Sequence, residues 1–227
     1  MAAHAAGPVM DAGSAPLRFA NARGVPGTAG LLVRGRDGAA LLLTSHHVVF
    51  GDGAVEGDRV WALPEEGEGA GAVRLGRALR GVLGRVSVGP AACFVDCALI
   101  ALDAGDRPVW LAGALAALER PRASAATAAK QAVRKHGAAT GVTEGVVRDM
   151  RYADRPFIAG RVWEAPGQLL IAARDAELNF SAPGDSGATV VDHDDRVVGL
   201  LWGCNGNGEG IACPIAPVLV CLEVGLP

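Results

Sequence analysis

The marks of membrane and secreted proteins are missing from this chain. No apolar run reaches the length of a membrane-spanning helix. The first 16 residues are rich in alanine and glycine but lack a positive region followed by the apolar stretch of a secretory signal. A cytoplasmic protein without a membrane partner is therefore expected. Lysine is almost absent: Lys130 and Lys135 are the only two, and no basic patch interleaved with aromatics appears. With a formal net charge of -3 and interspersed signs, nothing points to nucleic acid as a partner. The arginine bias is attributed to genome composition. Cysteine is scarce and odd in number, at Cys93, Cys97, Cys204, Cys213 and Cys221. An odd number of thiols leaves at least one unpaired, and the count favours a reducing compartment. No Cys-x-x-Cys pair exists, so neither metal nor cofactor is expected, and the thiols read as small apolar fillers. The run Asp192-His193-Asp194-Asp195 has a metal-like composition but lies between two β-rich runs and reads as a solvated hairpin turn.

Three short segments carry chemistry. Ser181-Ala182-Pro183-Gly184-Asp185-Ser186-Gly187-Ala188 boxes a serine between glycines. Thr44-Ser45-His46-His47-Val48-Val49 puts two histidines after an apolar run, and Val95-Asp96-Cys97-Ala98-Leu99-Ile100-Ala101-Leu102 takes a lone carboxylate into an apolar strand. A serine hydroxyl is a poor nucleophile near neutral pH and needs an imidazole to take its proton and later return it. A carboxylate on the other ring nitrogen fixes the tautomer and stabilises the imidazolium. An ionised carboxylate among apolar neighbours must itself be paired, so Asp96 needs a partner as much as a histidine needs Asp96. Singly, each segment has an ordinary reading: Gly-Asp-Ser-Gly favours turns, and a histidine beside a strand is usually structural. Together they supply nucleophile, base and orienting acid. As a carbonyl becomes tetrahedral its oxygen gains negative charge, which backbone N–H groups in a tight loop must meet. Gly184 opens conformations closed to other residues, making the amides of Gly184 and Ser186 the candidate oxyanion hole. Gly187 is expected to permit close packing behind the serine.

The order His, Asp, Ser, carried by Thr-x-x-His-Val, Asp-x-Ala-Leu and Gly-Asp-Ser-Gly, resembles the trypsin-like serine proteases of the chymotrypsin superfamily, in particular the bacterial, disulfide-poor members. The likeness runs from about Gly27 to the C-terminus. It includes Gly137-Ala138-Ala139-Thr140-Gly141-Val142-Thr143-Glu144-Gly145, similar to a Gly-x-x-Thr-Gly-x-Thr-x-Gly stretch of bacterial relatives. The resemblance implies an all-β protein of two six-stranded antiparallel barrels with a short C-terminal helix. It implies a hydrolase of peptide bonds with His47, Asp96 and Ser186 catalytic and the amides of Gly184 and Ser186 as the oxyanion hole. In that register His47 is the base, and strand alternation aims His46 the opposite way as a structural or surface residue. The implied substrate-binding residues are Phe180, Leu201, Trp202 and Gly203. With no acid clearly at the pocket base, small or apolar side chains are the expected preference. No junction like Arg-Ile-Val-Gly-Gly precedes the first barrel, so the site is expected to be preformed or switched by a partner. The expected partner is a protein or peptide substrate, with limited proteolysis of one dedicated protein. The rival readings are a catalytically idle, protease-shaped module that binds peptide by strand addition, and an esterase using the same three residues.

Along the chain, residues 1–23 read as a flexible arm, 24–120 as a barrel carrying His47 and Asp96, 121–130 as a linker, and 131–227 as a barrel carrying Ser186. Many short strands with regular turns support the all-β reading. Strands are predicted at 27–34, 39–43, 60–63, 73–83, 94–102, 131–135, 141–147, 157–163, 169–173, 188–191 and 197–202, with hairpin turns at Arg36-Asp37-Gly38 and His136-Gly137. A short helical segment is predicted within 108–120 and a closing helix over 215–222. Cys97 adjoins Asp96, and Cys204 lies near the expected cleft, so oxidation at either bears on function.

Overall fold

Apolar alternation in the first half builds a curled sheet whose two faces feed different cores. The computed structural model describes residues 16–65, 71–89, 91–119, 121 and 123–227. Its first seven strands are β1 (Arg18–Ala20), β2 (Pro26–Thr28), β3 (Leu31–Arg34), β4 (Ala40–Thr44), β5 (Arg59–Leu63), β6 (Val73–Val88) and β7 (Ala91–Leu102). They form one antiparallel sheet in the order β2-β1-β5-β6-β7-β4-β3. On β3, β4 and β7, Leu32, Leu42, Ala98 and Ile100 point into the first lobe with Phe19, Val60, Leu75 and Leu111. Leu31, Leu43, Val95 and Leu99 point the other way, into a core shared with the second lobe. This is the period of two that places successive side chains on opposite faces.

The second lobe is a closed six-stranded barrel. It comprises β8 (Ala132–Gly137), β9 (Gly141–Asp154), β12 (Ala165–Ala173), β13 (Thr189–Val191), β14 (Val197–Cys204) and β15 (Gly210–Pro214), while β10 (Phe157–Ile158) and β11 (Arg161–Val162) make a separate hairpin. Its interior holds Val133, Val147, Ile171, Phe180, Val190 and Leu201. Trp202, Ile211, Ile215 and Val218 meet Phe94 and Leu99 in the shared core. Among the described residues the α-helices are α1 (His46–Val49), α2 (Val109–Ala117) and α3 (Ile215–Leu222), with α3 laying Ile215, Val218 and Leu222 on the junction.

The all-β, two-lobed architecture and the closing helix match expectation, and three local differences have physical causes. The arm expected over residues 1–23 is contradicted where β1 runs: Leu17 and Phe19 are buried and the strand pairs with both β2 and β5, because their alternation supplies an inward face. Residues 1–15 of that arm lie outside the described residues. The first lobe has seven strands where six were expected, since the strand read over 27–34 breaks in two. At the break Gly30 packs against the carbonyls of Gly187 and Leu43, leaving no room for a side chain. The strand expected over 157–163 is a hairpin instead, turned at Ala159 and Gly160, both with positive φ. Among the described residues no helix is long and apolar enough to cross a membrane.

Candidate active site

Antiparallel pairing delivers the histidine to the carboxylate. Thr44, the last residue of β4, lies opposite Ala98 of β7, so a chain continuing past Thr44 meets Asp96. There it turns into α1. Asp96 accepts the His47 backbone N–H at 3.0 Å with one oxygen, and its other oxygen meets Nδ1 of the ring at 2.6 Å. With Nδ1–H donating to the carboxylate, Nε2 carries the lone pair that a base needs. The Asp96 side chain is fully buried and that of His47 is 25% exposed, so the pair lies beneath the surface with the ring edge reaching solvent. Burial disfavours the charged imidazole, but the charge of Asp96 and its hydrogen bond outweigh that and raise the His47 pKa above its ordinary 6.5.

The turn that carries His47 is anchored on both sides. Asn21 donates from Nδ2 to the Val48 carbonyl at 2.9 Å and the Gly51 carbonyl at 3.0 Å, and the Ser45 hydroxyl donates to the Leu201 carbonyl at 3.2 Å. His46 is not set opposite His47 by strand alternation, because both sit on a helical turn where neighbours diverge by about 100°. Its ring stacks on Phe50 with centroids 4.8 Å apart, and its Nδ1 is buried without a hydrogen-bond partner among the described residues. Burial lowers its pKa, the neighbouring His47 adds to that, and Asp96 opposes both.

Ser186 comes from the other lobe, in the turn between Phe180 and β13, and first-lobe Thr28 holds that turn from behind. The Thr28 N–H donates to the Ser186 carbonyl at 2.9 Å and its hydroxyl to the Gly184 carbonyl at 2.8 Å, while the Ala138 N–H donates to that hydroxyl at 2.9 Å. With both carbonyls engaged on one side, the N–H groups of Gly184 and Ser186 find no acceptor among the described residues. Gly184 has φ of 106° and Gly187 of 98°, values that favour glycine. A Cβ on Gly187 would collide with the Thr28 carbonyl and the Thr44 hydroxyl, so the expected close packing behind the serine is present. The Ser186 hydroxyl donates to the Trp202 carbonyl at 3.1 Å, and among the described residues the His47 ring is bonded only by Asp96.

Lys135 is the residue that sequence reasoning missed. Its ammonium sits 2.9 Å from the Asp185 carboxylate, and neither side chain has any exposure. Asp185 also accepts from the N–H groups of Ala139 (2.9 Å), Thr140 (3.1 Å) and Ala182 (3.1 Å) and from the Thr140 hydroxyl (2.7 Å). The Lys135 ammonium contacts Thr140 as well. Burial alone would raise the Asp185 carboxyl; Lys135 and these donors outweigh it and hold it below its ordinary range. Burial pulls the Lys135 ammonium down, with Asp185 opposing. A buried cation from the barrel wall thus fixes the residue between Gly184 and Ser186.

Of the residues expected to line a substrate pocket, Phe180 and Leu201 are fully buried in the second-lobe interior and are corrected to core positions. The Phe180 ring fills the space over Gly145 and Gly210, which lack side chains. Trp202 is 5% exposed and donates from Nε1 to Gln168 at 2.7 Å, so its indole too is structural. Its carbonyl, with half-buried Gly203, remains at the serine. Glu209, near the Phe180 and Ser181 amides that bond the Gly208 carbonyl, spends its carboxylate on Arg148 (2.6 Å) and Asn205 (2.7 Å).

By sequence, neither a protein-family model nor a curated protein matches the chain. By structure it is similar to a protease from Nocardiopsis (TM-score 0.61, 16% identity, 94% of this chain and 97% of the other) and to protease A of Thermobifida fusca (0.61, 18%, 94% and 97%). It is also similar to a chymotrypsin from Cellulomonas bogoriensis (0.59, 16%, 94% and 97%). The chain has the chymotrypsin-type double-barrel fold. Within this chymotrypsin-type frame, His47 and Asp96 belong to the first lobe and Ser186 and Lys135 to the second, with the shared core between them.

Proposed function

We propose that the chain is a serine endopeptidase that cleaves peptide bonds through an acyl-enzyme. The observation that carries this reading is the His47 Nδ1 to Asp96 bond at 2.6 Å, which leaves Nε2 as the base. In this reading the Ser186 hydroxyl turns from the Trp202 carbonyl to His47 Nε2 when substrate enters. Its oxygen attacks the scissile carbonyl as the proton passes to the ring, and Asp96 stabilises the resulting imidazolium. The amides of Gly184 and Ser186 receive the oxyanion. The imidazolium protonates the leaving amine, and water then releases the acyl group by the same relay in reverse.

Small or apolar side chains are the preference this reading assigns. Glu209, next to the Gly208 carbonyl that bonds the Phe180 and Ser181 amides, is ion-paired with Arg148 and hydrogen-bonded by Asn205, so its carboxylate is already engaged and not free to pair with a buried lysine or arginine. The biological substrate is a dedicated protein partner, cut in limited fashion inside the cell, where the five free thiols fit a reducing compartment. One observation favours the rival idle module: the serine hydroxyl rests on a carbonyl and not on the imidazole.

A fluorophosphonate probe separates the two. Labelling of the wild type that is lost in Ser186→Ala supports the enzyme, while a chain that stays unlabelled with and without peptide leaves the binding module. A chromogenic peptide panel tests specificity, and fastest cleavage after arginine rejects the pocket argument. Proteins cut by wild type but not by Ser186→Ala, read by mass spectrometry, identify the partner.

A further inference from the structure

Two of the five thiols face each other across the lobe junction. Cys97 lies on β7, one residue beyond Asp96, and Cys221 lies in the last turn of α3. Successive strand residues point to opposite faces, so Cys97 leaves the face that bears Asp96. Its sulfur lies 3.7 Å from that of Cys221, although the residues are 124 apart in sequence. A disulfide spans about 2.0 Å, so a modest side-chain rotation closes the gap. The two thiols also differ in access: Cys97 is buried beneath the helix and Cys221 is half-buried.

We propose that Cys97 and Cys221 are an oxidation site whose product is a disulfide fastening the C-terminal helix to the first lobe, with a small peroxide as oxidant. The difference in access sets their roles. Burial pushes the Cys97 thiol up, while half-buried Cys221 is the one that solvent and a small peroxide reach. Cys221 is therefore the attacking thiolate. It attacks one peroxide oxygen, breaking the O–O bond to give a Cys221 sulfenic acid and hydroxide. The Cys97 sulfur then attacks the sulfenic sulfur; its proton and the departing hydroxide leave as water. Two thiols lose two electrons, and one hydrogen peroxide becomes two waters.

The cross-link joins β7 to α3 and so ties one lobe to the helix that follows the other. Closing so long a loop is expected to raise the melting temperature by roughly 5 to 15 °C. The test treats the full chain with a small excess of hydrogen peroxide, maps peptides without reduction by mass spectrometry, and follows thermal unfolding with and without dithiothreitol. A linked peptide pair containing Cys97 and Cys221, reversed by dithiothreitol and accompanied by the higher melting temperature, is expected. Both effects should vanish in Cys221→Ser and persist in Cys204→Ser. Should Cys221→Ser fail to fold, the wild-type peptide map decides alone. Peroxide treatment that leaves residues 97 and 221 unlinked, drives Cys221 on to the sulfinic acid or links another pair overturns the proposal. Linkage with an unchanged melting temperature overturns the fastening role. None of these readings depends on proteolysis.

Discussion

Lys135→Met removes the cation beneath the serine loop while keeping most of the side-chain volume, so its effect isolates the charge. Both members of the Lys135–Asp185 pair are fully buried, and no solvent screening discounts the loss. Breaking a buried pair from one side costs about 3 to 5 kcal/mol, because the remaining charge is stranded. Asp185 keeps four other donors, from Ala139, Thr140 twice and Ala182, which places the expected cost toward the lower end of that range. In a chain of 227 residues a cost near 3 kcal/mol lowers the melting temperature by roughly 6 to 12 °C. The sign of the pH dependence is fixed as well. In the wild type the Asp185 carboxyl is held below its ordinary 3.8, so its contribution is present above that value and is lost as pH falls through the folded-state pKa. Without Lys135 the largest influence opposing burial is lost and the folded-state pKa rises, so the variant regains stability relative to wild type on acidification. Thermal unfolding at about pH 7 and about pH 3 reads this directly, the ordinary Asp185 value of 3.8 lying between. The double variant Lys135→Met with Asp185→Asn removes both charges and should recover much of the loss, giving a coupling free energy between the two positions. If the serine loop shifts enough to displace one amide, peptide turnover falls by about a hundred- to a thousandfold. A Lys135→Met protein that melts within about 2 °C of wild type at neutral pH would refute the argument that this pair sets the loop.

Three further outcomes are expected. If His47 is the base of the proposed reaction it must be neutral to act, so the acid limb of kcat/KM should fall above pH 6.5, where Asp96 holds its pKa; in Asp96→Asn the residual activity should show the limb moved below 6.5. Gly187→Ala pushes a methyl group into the Thr28 carbonyl and the Thr44 hydroxyl at a φ of 98° and should melt far below wild type, whereas Gly203→Ala, with nothing within 4 Å, should leave the melting temperature unchanged. Gln168→Leu strands the Trp202 N–H (2.7 Å to Gln168) and frees the Phe94 carbonyl (2.9 Å) at the lobe junction, and should cost about 1 to 3 kcal/mol in a denaturant titration.

The parts of the site that sequence exposed are those whose chemistry is compressed into a short motif. The register from Thr44 to His47 and the lone acid at Asp96 place imidazole and carboxylate together because β4 and β7 pair directly. What stayed hidden depends on which way a side chain turns. Phe180, Leu201 and Trp202 flank the serine in sequence, yet their side chains serve the cores and only backbone groups reach the cleft. Lys135 left a trace that alternation could have caught: Val133, Lys135 and Gly137 all face inward on β8, and a lysine on an inward face demands a buried anion. Asn21 fell within the supposed arm, where the spacing of Leu17 and Phe19 was the signal of a strand.

These placements make the two halves of the site mechanically unequal. The His47–Asp96 pair and its Asn21 anchor lie in the first lobe, with a single side-chain tie from the Ser45 hydroxyl to the Leu201 carbonyl of the second. The serine loop instead hangs between lobes, held by Thr28 through its carbonyls on one side and by Lys135 through Asp185 on the other. A small relative shift of the lobes therefore strains the Thr28 bonds and turns the Gly184 and Ser186 amides while the imidazole and its carboxylate travel together. A regulatory partner gripping both lobes would act first on transition-state stabilisation and only later on the base, lowering turnover with the acid limb of the pH profile still in place.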